Sequence, residues 1–416
     1  MPFSTSTAAE LRELRRMGGL GPYLGIFYGL PAPGKPRFGH GGDLFRLMTR
    51  LAPGRGLFAY VFTPESLLPS PPGGAPAPEV AGWFHDGREW VRGLFPWPDV
   101  LYDRSIADSE AENQVLAKAR SQFPTDLPVL NSWPLVLAVE DKWRTHQILA
   151  QEPQTAGALP VTALYQGVDG LRAMMDRFGA VVLKERYGHK ARGVAFVRHD
   201  RARGGGSGAG TFSYTRDAGG RQEQGEGLSW PAVEAMLGAH TAGREFVVQQ
   251  AIDRVRFQDR HIELRVIMHK AVDAGSGAGA RGAPGGSNGV CRGRWLRTGM
   301  VCRLTDPGLP FLALGHELDE RPSRVLPEVF GASRAGKLLE NVRRLARLVK
   351  VLEERTGAGA ELAVDFMIDG EAGPWLLEVN TRPAMLFKTT ESEELRRRGV
   401  LRLLEYARCL ALQHHP

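Results

Sequence analysis

The chain carries two periods of apolar positions, and where each occurs sets out the predicted elements. Over the first third, short apolar runs at 23–28 and 57–63, and the run Asp99-Val100-Leu101-Tyr102-Asp103-Arg104, predict strands interleaved with helical pieces, which is α/β material. From Asp141 onward the pattern predicts helices over 141–150 and 168–178 and strands over 180–184, 193–197, 245–252 and 262–268. A long helix follows over 334–355, with Leu338, Val342, Leu345, Val349 and Leu352 at helical spacing. That stripe is core packing and carries no chemistry. Three stretches break the pattern. Residues 68–78 are rich in Pro, Gly and Ala and read as a surface loop, while 203–227 and 274–289 are glycine-rich and predict mobile insertions within a patterned region.

Near the end, the apolar runs 360–368 and 375–380 flank an Asp-Gly turn and predict a β-hairpin. If Ile368 pairs with Trp375, Asp365 lies opposite Glu378, and Asn380 projects from the same face. Opposed carboxylates repel. A hard cation removes that cost, and an all-oxygen set suits Mg²⁺ with nucleotide phosphates completing the shell. The alternative is the solvated polar face of an ordinary hairpin.

Other candidates are weaker alone. Lys184 ends an apolar strand and is followed by a glycine-bounded loop, Gly188 to Gly193 and Val194, whose backbone N–H groups suit phosphate oxygens. It is not a Walker loop, because Val194-Ala195 stands where Lys-Ser/Thr would. Lys142 opens a helix beside Asp141. The run Phe246 to Ile252 carries Gln249 and Gln250, whose backbone and amides suit an adenine edge, together with Ala251 and Ile252. Glu263 and Arg265 share a strand face, and Arg265 is placed to stabilise phosphoryl or oxyanion charge. The pattern G-x-S-x-G at 285–289 lacks the strand before it that a nucleophile elbow needs.

Composition narrows the class. In 416 residues, 43% are hydrophobic and 24% charged, enough apolar content for two or three globular domains. The net charge of +7 favours anionic partners, but the basic residues are scattered and do not point to nucleic acid. Cys291, Cys302 and Cys409 have no paired spacing, which argues against a disulfide framework and for a reducing cytoplasm. No secretory signal or apolar run long enough to span a bilayer is seen, so a soluble intracellular protein is expected, with no membrane partner.

Taken in order, Lys142, Lys184, the glycine loop, the glutamine-bearing strand, the acid-x-Arg step, Asp365 and Glu378-x-Asn380 resemble the ATP-grasp superfamily. The run Glu378-Val379-Asn380-Thr381-Arg382-Pro383 is similar to the metal strand of D-alanine–D-alanine ligases. Trp90, the run Phe95 to Arg104, Leu130-Asn131-Ser132, Asp141-Lys142-Trp143 and Trp375 to Asn380 resemble the endospore coat-associated YheC/YheD-type branch.

The resemblance implies an N-terminal α/β domain of the pre-ATP-grasp kind over 1–135, an ATP-grasp fold of two α+β subdomains over 136–392, and a C-terminal helix and tail over 393–416. It implies ATP held by Lys142 and Lys184 with 249–252 at the adenine, and two Mg²⁺ ions, or Mn²⁺ in their place, on Asp365, Glu378 and Asn380. The activity implied is a carboxylate–amine ligase acting through an acyl-phosphate, on a small or peptide carboxylate and an amine. A kinase on the same frame and a non-catalytic spore-associated protein are the rivals, and a homodimer is left open. The chain departs from the pattern in having Glu263 where Asp is usual, Ala363 where an arginine is usual, and Ala313-Leu314-Gly315-His316-Glu317 in place of an Asn-Gly stretch. The catalytic arginine is therefore open among Arg265, Arg303 and Arg382.

Overall fold

The computed structural model describes residues 21–29, 38–67, 79–107, 109–188, 193–200, 211–273, 291–305, 318–383 and 392–414. The loop 68–78, the insertion 274–289 and residues 313–317 therefore lie outside the described residues.

The N-terminal strands are β1 (Tyr23–Phe27), β2 (Phe58–Phe62), β3 (Glu79–His85), β4 (Trp90–Pro96) and β5 (Val100–Asp103), in sheet order β4-β3-β2-β1-β5. β1 pairs in parallel with β2 and β5, and every residue of β1, β2 and β5 is buried. Continuous apolar runs are what a parallel strand covered on both faces requires. The β3–β4 hairpin adds antiparallel strands at the far edge.

A second sheet contains β6 (Thr162–Leu164), β7 (Ala180–Glu185), β8 (Ala195–Asp200), β9 (Thr211–Asp217), β10 (Gln222–Leu228) and β11 (Phe246–Gln250), in order β10-β9-β8-β7-β11-β6. The helices Val168–Phe178 and Trp230–Thr241 cover it through Leu171, Met175, Val233 and Leu237. This sheet corrects one expectation. Of the segment 203–227, residues 211–217 and 222–227 form the greater part of an ordered hairpin, and only 203–210 lie outside the described residues. Thr211-Phe212-Ser213-Tyr214 alternates with period two, and Phe212 enters the core at 2% exposure. Low overall apolar content concealed a strand whose inward position is a phenylalanine.

The third sheet holds β12 (Arg256–Phe257), β13 (Arg260–Val272), β14 (Gly293–Leu304), β15 (Leu318–Glu320), β16 (Glu361–Ile368) and β17 (Pro374–Asn380), in order β15-β14-β13-β16-β17 with β12 against β13. The predicted long helix is two, Ala332–Leu348 and Lys350–Thr356, divided at Val349. Its stripe is buried as expected.

The helix Ser392–His414 returns to the first sheet. Val400, Leu403, Leu404, Ala407 and Ala411 are buried with Leu24, Phe45 and Val61. A second correction concerns the cysteines: Cys291 and Cys409 are joined by a disulfide with Cα atoms 5.6 Å apart, tying this helix to the start of β14. Proximity came from tertiary packing across 118 residues, which spacing does not report. Among the described residues no helix is long and apolar enough to cross a membrane.

Candidate functional site

The β16–β17 hairpin places Asp365 opposite Glu378, by a route that differs from the expected one. Ile368 pairs with Pro374, not Trp375, and a bulge beside Asp365 then restores the register. Asp369 shortens the turn. Its Oδ1 accepts from the N–H groups of Glu371 and Gly373 at 3.0 and 2.7 Å, and its Oδ2 accepts from Trp375 Nε1 at 2.7 Å.

The carboxylate repulsion is relieved by this chain's own groups. Arg265, opposite Asp365 on β13, donates Nε to Oδ1 at 2.7 Å and Nη2 to Oδ2 at 2.6 Å. Asn380 Nδ2 bridges the pair, 3.2 Å from Asp365 Oδ2 and 3.1 Å from Glu378 Oε1. On β14, Arg303 donates to Glu263 Oε1 at 2.7 Å and stands 3.8 Å from Asp365 Oδ2. Burial raises the Asp365 carboxyl, but Arg265 and then Arg303 outweigh it and hold it below the ordinary aspartate value. Glu263 goes the other way. Burial pushes it up to about 7 against Arg303, with Asp365 and Glu378 adding.

From the second sheet, Lys184 is buried on β7 and donates to Gln249 Oε1 at 2.7 Å, while Gln249 Nε2 donates to Thr162 Oγ1 at 3.0 Å. Burial lowers Lys184 to about 8, opposed by Glu378 and reinforced by Lys142. Lys142 is the first residue of the helix Lys142–Ala150, whose N-cap Asp141 accepts from Trp143 N and Arg144 N and is clamped by Arg186 at 2.6 Å. Lys142 Nζ donates to the Gly188 carbonyl, and burial lowers its pKa against Glu378. The charge of Glu378, on the third sheet, therefore acts on both lysines.

At the glycine loop, residues 189–192 lie outside the described residues. Its stem is fixed at Gly193, where φ is +65° and a Cβ would stand 2.3 Å from Glu185 Oε1. Gly193 N donates to Asp217 Oδ2 at 3.0 Å, and the Val194 carbonyl accepts from Asp217 N at 2.8 Å.

The N–H groups of Gln250 and Ala251 donate to Val161 O and Ala180 O at 2.8 and 3.2 Å, and the Gln249 amide oxygen accepts from Lys184. Arg382 reaches Asp103 and Glu140, at the seam with the first sheet, so Arg265 and Arg303 stand in the carboxylate cluster and Arg382 does not. Sequence reasoning missed Arg254, whose charge acts on both Lys184 and Glu263. It sits in an irregular segment with no periodic signal.

The donor set fits Mg²⁺ shared with phosphate. Two carboxylates and one amide supply oxygens, and turning the Asn380 amide over would present its Oδ1 in place of the bridging N–H. A carboxylate has about four acceptor positions, so the Arg265 fork leaves Asp365 capacity. Among the described residues no three His, Cys, Asp or Glu side chains are grouped to hold an ion by themselves. A cation held here would take its remaining ligands from outside these side chains.

Residues 135–282 and 291–410 match the sequence profile of the YheC/D like ATP-grasp family. The endospore coat-associated protein YheD of Bacillus subtilis (strain 168) is 22% identical over 315 residues, 73% of this chain and 61% of that protein. The chain thus spans about three fifths of the length of the curated relative it matches. Among solved structures, the VanG D-Ala:D-Ser ligase from Enterococcus faecalis superposes with a TM-score of 0.50 at 10% identity, over 93% of this chain and 99% of that one. D-cycloserine synthetase DcsG gives 0.47 at 14% identity, over 92% and 99%. With a profile match over most of its length, this chain belongs to the YheC/D-like ATP-grasp family.

Proposed function

We propose that the protein is an ATP- and Mg²⁺-dependent ligase that joins a carboxylate to an amine through an acyl-phosphate. The observation that carries this reading is the buried carboxylate cluster, with Arg265 on Asp365, Arg303 on Glu263 and Asn380 bridging Asp365 to Glu378, whose charge also acts on the buried Lys142 and Lys184. Cations next to acidic oxygen donors at a seam between two sheets suit a nucleotide's distal phosphates. Membership of the ATP-grasp family supports the same reading, as does the use of this fold by a D-Ala:D-Ser ligase.

In this reading a substrate carboxylate oxygen attacks the γ-phosphorus and the bond to the β-phosphate oxygen breaks, releasing ADP. The amine nitrogen then attacks the acyl carbon, and phosphate leaves with an oxygen from the carboxylate. Lys142 and Lys184 would orient the phosphates, and Arg303 and Arg265 would stabilise the oxyanion charge that develops. Mg²⁺ held by Asp365, Glu378 and Asn380 would screen phosphate charge. Spore-coat association is carried by the likeness to YheD alone.

The test is a screen of carboxylates and amines for ADP release, with ¹⁸O in the substrate carboxylate. The expected result is ADP that depends on both substrates, with label in the released phosphate. AMP as the main product, or label retained wholly in the carboxyl product, overturns the mechanism. ADP without free phosphate points to a kinase.

A further inference from the structure

A cleft outside the carboxylate cluster gathers charge that the reaction above does not use. It opens between β14, the end of β15 with the start of the helix Pro322–Phe330, the helix Ala332–Leu348 and the first turns of the helix Ser392–His414, with a volume of about 170 Å³. Met300, Val301, Leu339 and Leu395 give it an apolar floor, and Arg297 and Arg343 stand on its rim. Arg347 and Arg398 also lie close enough to Arg297 to act on its charge. Burial and then Arg343, Arg398 and Arg347 lower the Arg297 guanidinium below its ordinary value. Arg402 is lowered likewise by burial and by Arg398.

Guanidinium groups from three elements are held together here against mutual repulsion. Glu320 and Arg321 also line the cleft; Glu320 pairs with Arg324 at 2.8 Å, and outside the lining Glu394 pairs with Arg398 at 3.1 Å. The cleft also borders the strand positions of Arg265 and Arg303. Val301 lies opposite Arg265 in the β13–β14 register, and Arg303 is two residues further along the same strand.

We propose that this cleft binds an acidic peptide segment, with carboxylates on the arginine rim and an aliphatic side chain on the floor. Calling that peptide a substrate rests on the ligase reading; the binding itself does not. Planar guanidinium forks match carboxylates bidentately. The apolar floor favours a peptide over nucleic acid, because among the described residues no aromatic side chain lines the cleft for a base to stack on.

The experiment uses the full chain and a fluorescein-labelled peptide of alternating glutamate and leucine, read by anisotropy. Binding is expected, weakening as salt rises. Arg297→Gln with Arg343→Gln should weaken it by about tenfold or more. Leu339→Trp, which fills the floor, should do the same, and MgADP affinity should stay at the wild-type value in the arginine variant. A glutamine-for-glutamate peptide should not bind. Unchanged peptide affinity in the arginine variant overturns the proposal, and so does tighter binding of single-stranded DNA of equal charge. Peptide binding without ADP formation on any substrate sinks the ligase reading and leaves this one standing.

Discussion

Arg265 and Asp365 face each other across β13 and β16 in a two-bond fork, and the carboxylate is wholly shielded from water. A buried charge that loses its partner costs on the order of 3–5 kcal/mol. Asp365→Ala is therefore expected to lower stability markedly, since it strands Arg265 and leaves Arg303 one acid fewer. The double variant Arg265→Met with Asp365→Leu should recover part of the loss. Urea denaturation of the three proteins measures this. A midpoint for Asp365→Ala equal to wild type would show that the fork contributes nothing. Asp365→Asn, which keeps shape and hydrogen bonding, is then the variant for turnover.

Lys184 gives a pH dependence whose sign can be worked out. Its folded value is about 8, against 10.5 for the free side chain. Between those values the unfolded chain holds the proton and the folded one does not, so this residue makes stability rise with pH across that window. Nucleotide binding should run the other way, because phosphate needs the charged ammonium. ATP affinity is expected to fall as pH rises above about 8. Lys184→Met should bind MgATP weakly, lose that slope, and melt no lower than wild type at neutral pH. Calorimetry from pH 7 to 10 checks both slopes.

The hairpin from Thr211 to Leu228 shows where the sequence was legible and where it was not. The apolar runs around Asp365 and Glu378, flanking an Asp-Gly turn, specified a pairing that the structure contains, even though Asp369 closed the turn one residue short and a bulge restored it. Turn closure depends on a side chain's own hydrogen bonds, which periodicity does not encode. The Lys184–Gln249 contact was out of reach for a related reason: it depends on β11 lying next to β7. In 203–227 composition outweighed pattern, and Phe212 was lost among glycines. Phe212→Ala is expected to cost about 3–5 kcal/mol, the range for a fully buried phenylalanine. Shortening the glycine-rich stretch 203–210 is expected from its composition to cost far less, as added chain length enters stability only logarithmically. A thermal melt of each variant separates a core strand from a dispensable insertion.

The Cys291–Cys409 disulfide closes a loop of 118 residues and fastens the last helix to β14. Loop closure of that length restricts the unfolded chain, and Cys409→Ser is expected to lose about 2–4 kcal/mol. Reductant should lower the melting temperature of wild type toward that of the variant and leave the variant unchanged. Equal melting of wild type with and without reductant would show that the bond does not form in solution.

Glu361 supplies the last prediction, and it explains why Tyr102, Arg104 and Asn131 stand out in the sequence. Glu361 is fully buried on β16, yet Tyr102 Oη and Arg104 Nη1 donate to its Oε2 at 2.7 and 3.0 Å, and His269 Nε2 lies 3.2 Å from its Oε1. Asn131 fastens the same strand end through backbone groups. Its Nδ2 donates to the carbonyls of Glu361 and Thr381, and its Oδ1 accepts from Ala360 N and Glu361 N. The first sheet is thereby joined to the metal-candidate hairpin without any residue of the carboxylate cluster. Burial raises the Glu361 carboxyl, but Arg104 and then His269 outweigh it, so its folded value lies below the ordinary 4.5. A depressed carboxylate contributes stability that is complete above its unfolded value and is lost as pH falls through the folded one. Glu361→Gln should be less stable than wild type at pH 7, because Arg104 loses its buried counter-charge. That deficit should shrink steadily below about pH 4.5 as the wild-type carboxylate takes up its proton. Urea midpoints measured from pH 7 to pH 3 give the comparison. A gap of constant size across that range would mean that Glu361 acts by shape and hydrogen bonding, and not by charge.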